Sequence, residues 1–115
     1  MQFVHDLERD EFYLRKFGSK EATLLATSEL RRFLAESIVN KTINKSDLKF
    51  ILLSAHDTTL AALLAALDMP QNDGPPYAST LIFELWKSNN EYRVKLLYND
   101  KELDLYKYCY GHSSD

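Results

Sequence analysis

The chain has little of several residue types, and each shortage excludes a class of protein. Its single cysteine, Cys109, cannot form an internal disulfide. With three glycines and three prolines in 115 residues, it contains no low-complexity tract. No apolar stretch approaches the roughly 20 residues that cross a bilayer, and the first ten residues do not resemble a signal peptide. Because the net charge is −3 and no segment carries a basic stripe, we expect neither a nucleic-acid partner nor a membrane partner.

What the chain does have is a histidine beside an aspartate, directly after an apolar run. Residues 54–60 read Ser-Ala-His-Asp-Thr-Thr-Leu and follow Phe-Ile-Leu-Leu at 50–53. A short apolar run bounded by polar residues is typical of a strand buried on both faces of a parallel sheet. We therefore predict a strand at 48–54 and a helix that opens at Asp57 or Thr58. Helix N-termini beyond the carboxyl ends of strands bind anions, so His56 and Asp57 are predicted at an anion site.

Helices are predicted on both sides of this motif. Residues 6–17 predict a short helix that ends at Gly18. Ser19 is the predicted N-cap of a second helix of roughly 20 residues. The buried stripe of that helix is expected to consist of Leu30, Phe33, Leu34 and Ile38. The helix after the motif is expected to stop at Pro70. Its apolar face is expected to consist of Leu60, Leu63, Leu64 and Leu67.

The C-terminal part predicts a β-hairpin. Ser79–Lys87 and Glu91–Tyr98 alternate between apolar and polar residues, and the asparagine-rich link at 88–90 suits a turn. The order of elements predicts an α/β fold with a layered core, in which one parallel-type strand and the hairpin form a partial sheet with flanking helices. We interpret residues 1–115 as a single partial domain. Exposed sheet edges favour pairing with another strand, so we expect self-association through an edge.

Two motifs in register resemble the histidine acid phosphatases, the acid phosphatase and phytase branch of the histidine phosphatase superfamily. They are Ser-Ala-His-Asp-Thr-Thr-Leu at 54–60 and Pro-Pro-Tyr-Ala-Ser at 75–79, followed by Phe-Glu-Leu at 83–85. The resemblance covers residues 12–103, and it implies a layered α/β/α core without a cofactor or metal. The implied substrate is a phosphate monoester, which is hydrolysed through a phosphohistidine. His56 matches a histidine that holds the phosphoryl oxygens, and Asp57 matches the general acid.

The chain departs from the family pattern at the nucleophile. The family attacks phosphorus with the histidine of an Arg-His-Gly motif, and no such motif occurs in this sequence. The other histidines, His5 and His112, do not match it, and no clamping arginines can be placed. The tail at 104–115 also leaves the pattern. A truncated gene product or partial gene model, a piece cut from a longer protein and a degenerate pseudoenzyme all fit this departure, and we expect the chain to be inactive alone.

Other interpretations of the same residues stay open. His56 could be a buried histidine bonded to a backbone carbonyl, and Asp57 a simple N-cap. A metal-dependent His-Asp phosphohydrolase and hydrolases using Ser54 or Cys109 fit the pattern poorly. The main rival is a non-catalytic phosphatase-like fragment that acts by protein–protein interaction. The compartment is left open by the sequence, although the family is usually lysosomal or secreted. Asn-Lys-Thr at 40–42 and Asn-Lys-Ser at 44–46 both fit the N-glycosylation sequence.

Overall fold

The structure, a computed structural model, describes residues 19–71 and 73–106. In chain order its elements are the helices α1 (Lys20–Ala26), α2 (Ser28–Thr42) and α3 (Asp57–Ala66), then the strands β1 (Leu81–Ser88), β2 (Glu91–Tyr98) and β3 (Lys101–Leu103). This arrangement confirms the predicted mixed α/β class. The helix predicted at 6–17 lies outside the described residues. None of the helices in the described part is long and apolar enough to span a membrane.

The helix predicted to begin after Ser19 is interrupted by a kink at Thr27. Ser19 is the N-cap as predicted, since its hydroxyl accepts the Ala22 N–H at 3.1 Å. Thr27 then leaves the helical region at φ −103° and ψ 4°. Its buried hydroxyl donates to the Thr23 carbonyl at 2.8 Å and accepts from the Arg31 guanidinium at 3.1 Å. Threonine hydroxyls that bond back to a carbonyl one turn earlier often bend helices, so two helices replace the single predicted one.

The stripe predicted on α2 is only partly covered. Leu30, Leu34 and Ile38 are half-buried, whereas Phe33 is 42% exposed, and no residue of α2 is buried. In the described part of the chain α2 contacts α1 more than any other element, while α1 packs against both α2 and α3. The spacing therefore identified the inward face of α2 correctly, but little of the described chain covers that face.

Helix α3 is the most buried element of the described chain. Leu63 and Leu64 are buried as predicted, and Leu60 and Leu67 are half-buried. Three alanines are buried as well, namely Ala61, Ala62 and Ala66. The pattern of leucines did not predict the burial of these alanines. Because alanine side chains are short, other segments can pack close to the helix on the sides where the alanines lie.

The end of α3 is set by its own backbone and not by Pro70. Asp68 adopts a left-handed conformation with φ 55°. Its N–H donates to the Ala65 carbonyl at 3.0 Å, and the Met69 N–H donates to the Leu64 carbonyl at 2.8 Å. These two bonds form a Schellman motif, which ends a helix by satisfying its last carbonyls. The prediction that Pro70 stops the helix was therefore wrong, since α3 already ends at Ala66.

The predicted strand at 48–54 does not form a strand in the structure. Residues 48–56 are assigned no regular structure, and within the described chain the amides of 49–55 make no hydrogen bond. The apolar side chains are exposed in both alternating sets, as shown by Phe50 at 76% and Leu53 at 46%. A strand requires hydrogen bonds from a neighbour. The partial sheet thus contains no parallel-type strand, because none of the described residues supplies that neighbour.

The sheet is an antiparallel meander in the order β1-β2-β3. Leu81, Phe83 and Leu85 lie opposite Tyr98, Leu96 and Val94, which confirms the predicted faces of the hairpin. Ser88 pairs with Glu91, so the turn consists of Asn89 and Asn90 alone, both with positive φ. A similar turn at Asn99 and Asp100 leads into β3, which the sequence had not predicted. Leu96 is fully buried at the centre of the sheet.

Candidate functional site

His56 is the N-cap of α3. Its carbonyl accepts the N–H groups of Thr59 at 3.0 Å and Leu60 at 3.2 Å, and its own N–H faces the Thr59 hydroxyl at 3.5 Å. The residue itself is extended, with φ −112° and ψ 163°. The helix therefore fixes the backbone of His56, while the residue is exposed to solvent. The interpretation of His56 as a buried histidine is thus wrong.

Asp57 is the first residue of α3. Its carboxylate accepts the Thr58 N–H at 2.7 Å and is exposed. A negative charge at this position is favoured by the positive end of the helix dipole. Asp57 is not the N-cap, since His56 holds that place. The two side chains proposed to act on phosphate are thus adjacent at a helix N-terminus, the positive end of the helix dipole.

The surroundings of this pair are open. Ser54 and Ala55 are exposed like the pair itself, and only Thr58 and Thr59 behind it are half-buried. His56 is the one histidine in the described part of the chain, because His5 and His112 lie outside it. Neither a second imidazole nor a clamping arginine is hydrogen-bonded to the pair among the described residues. The arrangement can present a proton donor and an imidazole to an anion, but it does not enclose one.

The Pro-Pro-Tyr-Ala-Ser loop at 75–79 is held by Asn99. The Asn99 carboxamide accepts the Thr80 N–H at 2.8 Å and donates to the Ser79 hydroxyl at 3.2 Å. The backbone N–H of Asn99 donates to the Thr80 carbonyl at 3.0 Å, and the Ser79 hydroxyl donates to the Pro76 carbonyl at 2.7 Å. The three bonds made by Asn99 join residues about twenty positions apart, so the loop is fastened to the turn between β2 and β3.

Little in the amino-acid sequence predicts this role of Asn99. An Asn-Asp pair after an alternating segment indicates a turn, and Asn99 does adopt a left-handed φ of 47°. Its pairing with Ser79 and Thr80 depends on the register of β1 against β2, in which Leu81 faces Tyr98. Tyr77, at the tip of the loop, is fully exposed. No hydrogen bond joins the loop to His56 or Asp57 within the described residues.

The described residues contain no group of three or more His, Cys, Asp or Glu side chains that could hold a metal ion. They also contain no buried side-chain nitrogen or oxygen without a hydrogen-bond partner. The buried polar side chains of the described residues are thus satisfied, whereas the polar side chains at 54–57 are exposed to solvent.

Comparison with known proteins identifies the family. A sequence model of the histidine phosphatase superfamily (branch 2) matches residues 1–99. The chain belongs to this superfamily. The match includes the His-Asp motif, the loop at 75–79 and the hairpin, and it confirms the resemblance stated on those residues.

Several curated phosphatases are similar to the chain. It is 38% identical over 105 residues to 2-phosphoxylose phosphatase 1 of Xenopus tropicalis. The match covers 87% of this chain and 21% of the relative. The Homo sapiens protein of that name is 34% identical over 90 residues, covering 68% of this chain and 19% of the relative. Prostatic acid phosphatase of Bos taurus is 43% identical over 53 residues, covering 46% of this chain and 14% of the relative. The chain therefore spans only between 14% and 21% of the length of these relatives.

Proposed function

We propose that this chain supplies the proton-donor part of a phosphomonoesterase active site, with Asp57 as general acid and His56 as a ligand of the phosphoryl group. Membership of the histidine phosphatase superfamily is the observation that carries the proposal. The position of the pair at the N-terminus of α3 supports it, since that end of a helix favours bound anions.

The proposed chemistry assigns a step to each side chain. A histidine nitrogen, supplied by an Arg-His-Gly segment that this sequence lacks, attacks phosphorus, and the bond from phosphorus to the ester oxygen breaks. Asp57 gives its proton to that leaving oxygen. The imidazolium of His56 stabilises the charge on the non-bridging oxygens. Water then hydrolyses the phosphohistidine and gives a proton back to the Asp57 carboxylate.

The chain alone is expected to be inactive under this proposal. General acid catalysis contributes typically about 10²–10⁴-fold, but it has no effect on a phosphate that nothing holds or attacks. The exposure of residues 54–57 supports this expectation, because electrostatic stabilisation of a transition state is weak in water and strong in an enclosed site. The proposed substrate is a phosphate monoester as a class. The word 2-phosphoxylose is part of the name of the relatives, and the proposal for this chain does not include that particular substrate.

The activity of the chain is tested by hydrolysis of p-nitrophenyl phosphate in mildly acidic buffer, with the His56→Ala variant as control. We expect the same background in both, and no phosphoenzyme that is acid-labile and base-stable. Turnover that disappears in the variant would contradict the expected inactivity and would require a nucleophile from another part of the chain or from a second copy.

The role of Asp57 is tested in a chimera, the Xenopus tropicalis relative with its matched segment replaced by residues of this chain. Asp57→Asn should slow hydrolysis of alkyl phosphates by about 10²–10⁴-fold and that of aryl phosphates much less, because aryl oxides leave without a proton. Asp47→Asn is the matched control, since Asp47 is exposed and precedes the same segment. Equal slowing of both ester types would contradict the general-acid role.

A non-catalytic role has two observations in its favour. The exposed apolar segment at 48–53 and the free outer edge of β1 within the described residues both offer backbone groups to another strand. The rival proposal is a phosphatase-like fragment that binds another polypeptide or itself through these edges. Light scattering coupled to size exclusion tests the self-binding form of this rival: a stable monomer at all concentrations would contradict self-association.

A further inference from the structure

Two N-glycosylation sequences lie on either side of the C-terminus of α2. They are Asn-Lys-Thr at 40–42, within the helix, and Asn-Lys-Ser at 44–46, in the turn that follows it. We propose that Asn44 receives an N-linked oligosaccharide when the chain passes through the secretory pathway, and that Asn40 does not. This site is separate from the proposed phosphatase chemistry of His56 and Asp57.

Asn44 lies where a bulky, hydrated group can be attached without disturbing the fold. It follows Ile43, the C-cap of α2, and it is exposed, in a part of the chain where no residue of the preceding helix is buried. Glycans are large and polar and therefore belong on the surface. Attachment at Asn44 displaces no packed side chain.

The turn that carries Asn44 is ordered. The Ser46 N–H donates to the Asn40 carbonyl at 3.1 Å, and the Lys41 ammonium donates to the Ser46 carbonyl at 2.6 Å. Lys45, which lies between Asn44 and Ser46, has a left-handed φ of 53°. The three residues of the second sequence are therefore outside the helix and held by these two bonds, with Asn44 and Lys45 exposed and Ser46 half-buried.

The chemistry of the transfer is compatible with the observed contact of Asn44. The Asn44 Nδ2 nitrogen bonds to the anomeric carbon of a lipid-linked oligosaccharide, the bond from that carbon to the lipid diphosphate breaks, and the amide loses one proton. In the structure Nδ2 donates one N–H to the Asn40 side-chain oxygen at 2.8 Å. An amide has two such hydrogens, so one remains after the transfer and this hydrogen bond can persist.

Asn40 is unfavourable for the same reaction because it is helical. The acceptor sequence requires the asparagine and the hydroxyl two residues later to be recognised together. On a helix, residues two apart do not face each other. The Thr42 hydroxyl also donates its single proton to the helix carbonyls of Ile38 at 3.0 Å and Val39 at 3.2 Å. The Ser46 hydroxyl, in contrast, accepts the Leu48 N–H at 3.2 Å, and this bond does not use its proton. Forming the acceptor geometry at Asn40 would require unwinding the last turn of α2.

The proposal is tested by translating the full chain behind a cleavable signal sequence in the presence of microsomes. We expect the mobility shift of one glycan, reversed by peptide N-glycosidase, with mass spectrometry placing the modified site at Asn44. The shift should disappear in Asn44→Gln and Ser46→Ala, and remain in Asn40→Gln and Thr42→Ala. Ser46→Ala is the more informative loss because it leaves the Asn44 side chain in place.

Two results would overturn the proposal. The absence of any glycan, while a control protein in the same reaction is modified, would show that the turn at 44–46 is not an acceptor. Two glycans, or a single glycan on Asn40, would show that the helical conformation does not select between the two sequences.

Discussion

Two apolar segments on either side of His56 have opposite environments. Phe50–Leu53 are between 39% and 80% exposed, whereas Ala61–Leu64, about ten residues later, are between 1% and 6% exposed. Both are continuous apolar runs, so composition does not explain the difference. A helix makes its backbone hydrogen bonds within its own segment, whereas a strand depends on neighbouring strands. Within the described chain, α3 can therefore form and pack, but the segment before it finds no neighbour.

Amide hydrogen exchange is the strongest test of this contrast. The amides of 49–55 should exchange at nearly the rate of an unfolded peptide, while those of 61–66 in α3 are protected. A local opening free energy of about 3 kcal/mol would slow exchange by roughly a hundredfold. Protection of 49–55 would contradict the contrast and show that another strand, from a second copy or from residues outside the described part, pairs with this segment.

A matched pair of leucine substitutions gives the next largest effect. Leu64→Ala removes a side chain that is 1% exposed and should lower the free energy of unfolding by about 2–5 kcal/mol. Leu52→Ala removes the same atoms from a residue that is 80% exposed and should change it by less than about 0.5 kcal/mol. Urea denaturation followed by circular dichroism measures both. A comparable loss in both variants would mean that Leu52 is packed in solution.

Substitutions that release the loop at 75–79 should have a smaller effect on the free energy of unfolding than Leu64→Ala. Asn99→Ala removes two side-chain hydrogen bonds and should cost about 1–3 kcal/mol of the free energy of unfolding. Asn89→Ala is the control, since Asn89 has a similar positive φ of 50° but makes no side-chain hydrogen bond in the described chain. The difference between the two variants measures the hydrogen bonds apart from the left-handed backbone. An equal cost would show that the bonds to Ser79 and Thr80 contribute nothing.

The ion pair between Lys20 and Asp68 should contribute least. The atoms lie 2.7 Å apart, but the two side chains are 56% and 53% exposed. Exposed pairs contribute about 0.2–1 kcal/mol, and the carboxylate is unfavourable at the C-terminus of α3. Asp68→Asn keeps the left-handed tendency of the residue and should change the free energy of unfolding by less than about 0.5 kcal/mol, with even less effect at high salt. A loss above 1 kcal/mol would contradict this assessment.

Local patterns predicted the elements whose stability is local. Ser19 caps α1, the leucines of α3 face inward, and the alternation in β1 and β2 identified the faces of the hairpin. The His-Asp pair was also placed correctly at the start of a helix, since an extended run followed by helix-forming residues marks that boundary. In each case the signal came from side chains a few residues apart.

The errors concern features that depend on distant residues or on fine backbone geometry. The kink at Thr27 depends on a buried hydroxyl, and the end of α3 depends on the left-handed Asp68. The role of Asn99 depends on strand register, which brings together residues about twenty positions apart. None of these contacts has a periodic signature in the sequence.

The sequence by itself determined the family, the mixed α/β class and the adjacent pair His56 and Asp57, because these depend on the order and spacing of residues. Only the tertiary structure decided which apolar segments are buried, which residues fasten the loop at 75–79 and how the glycosylation sequences lie relative to α2. The physical reason is that burial and strand pairing are properties of contacts between distant segments. The apolar run before His56 has the composition of a buried strand, but within the described chain no neighbouring strand pairs with it and it forms none.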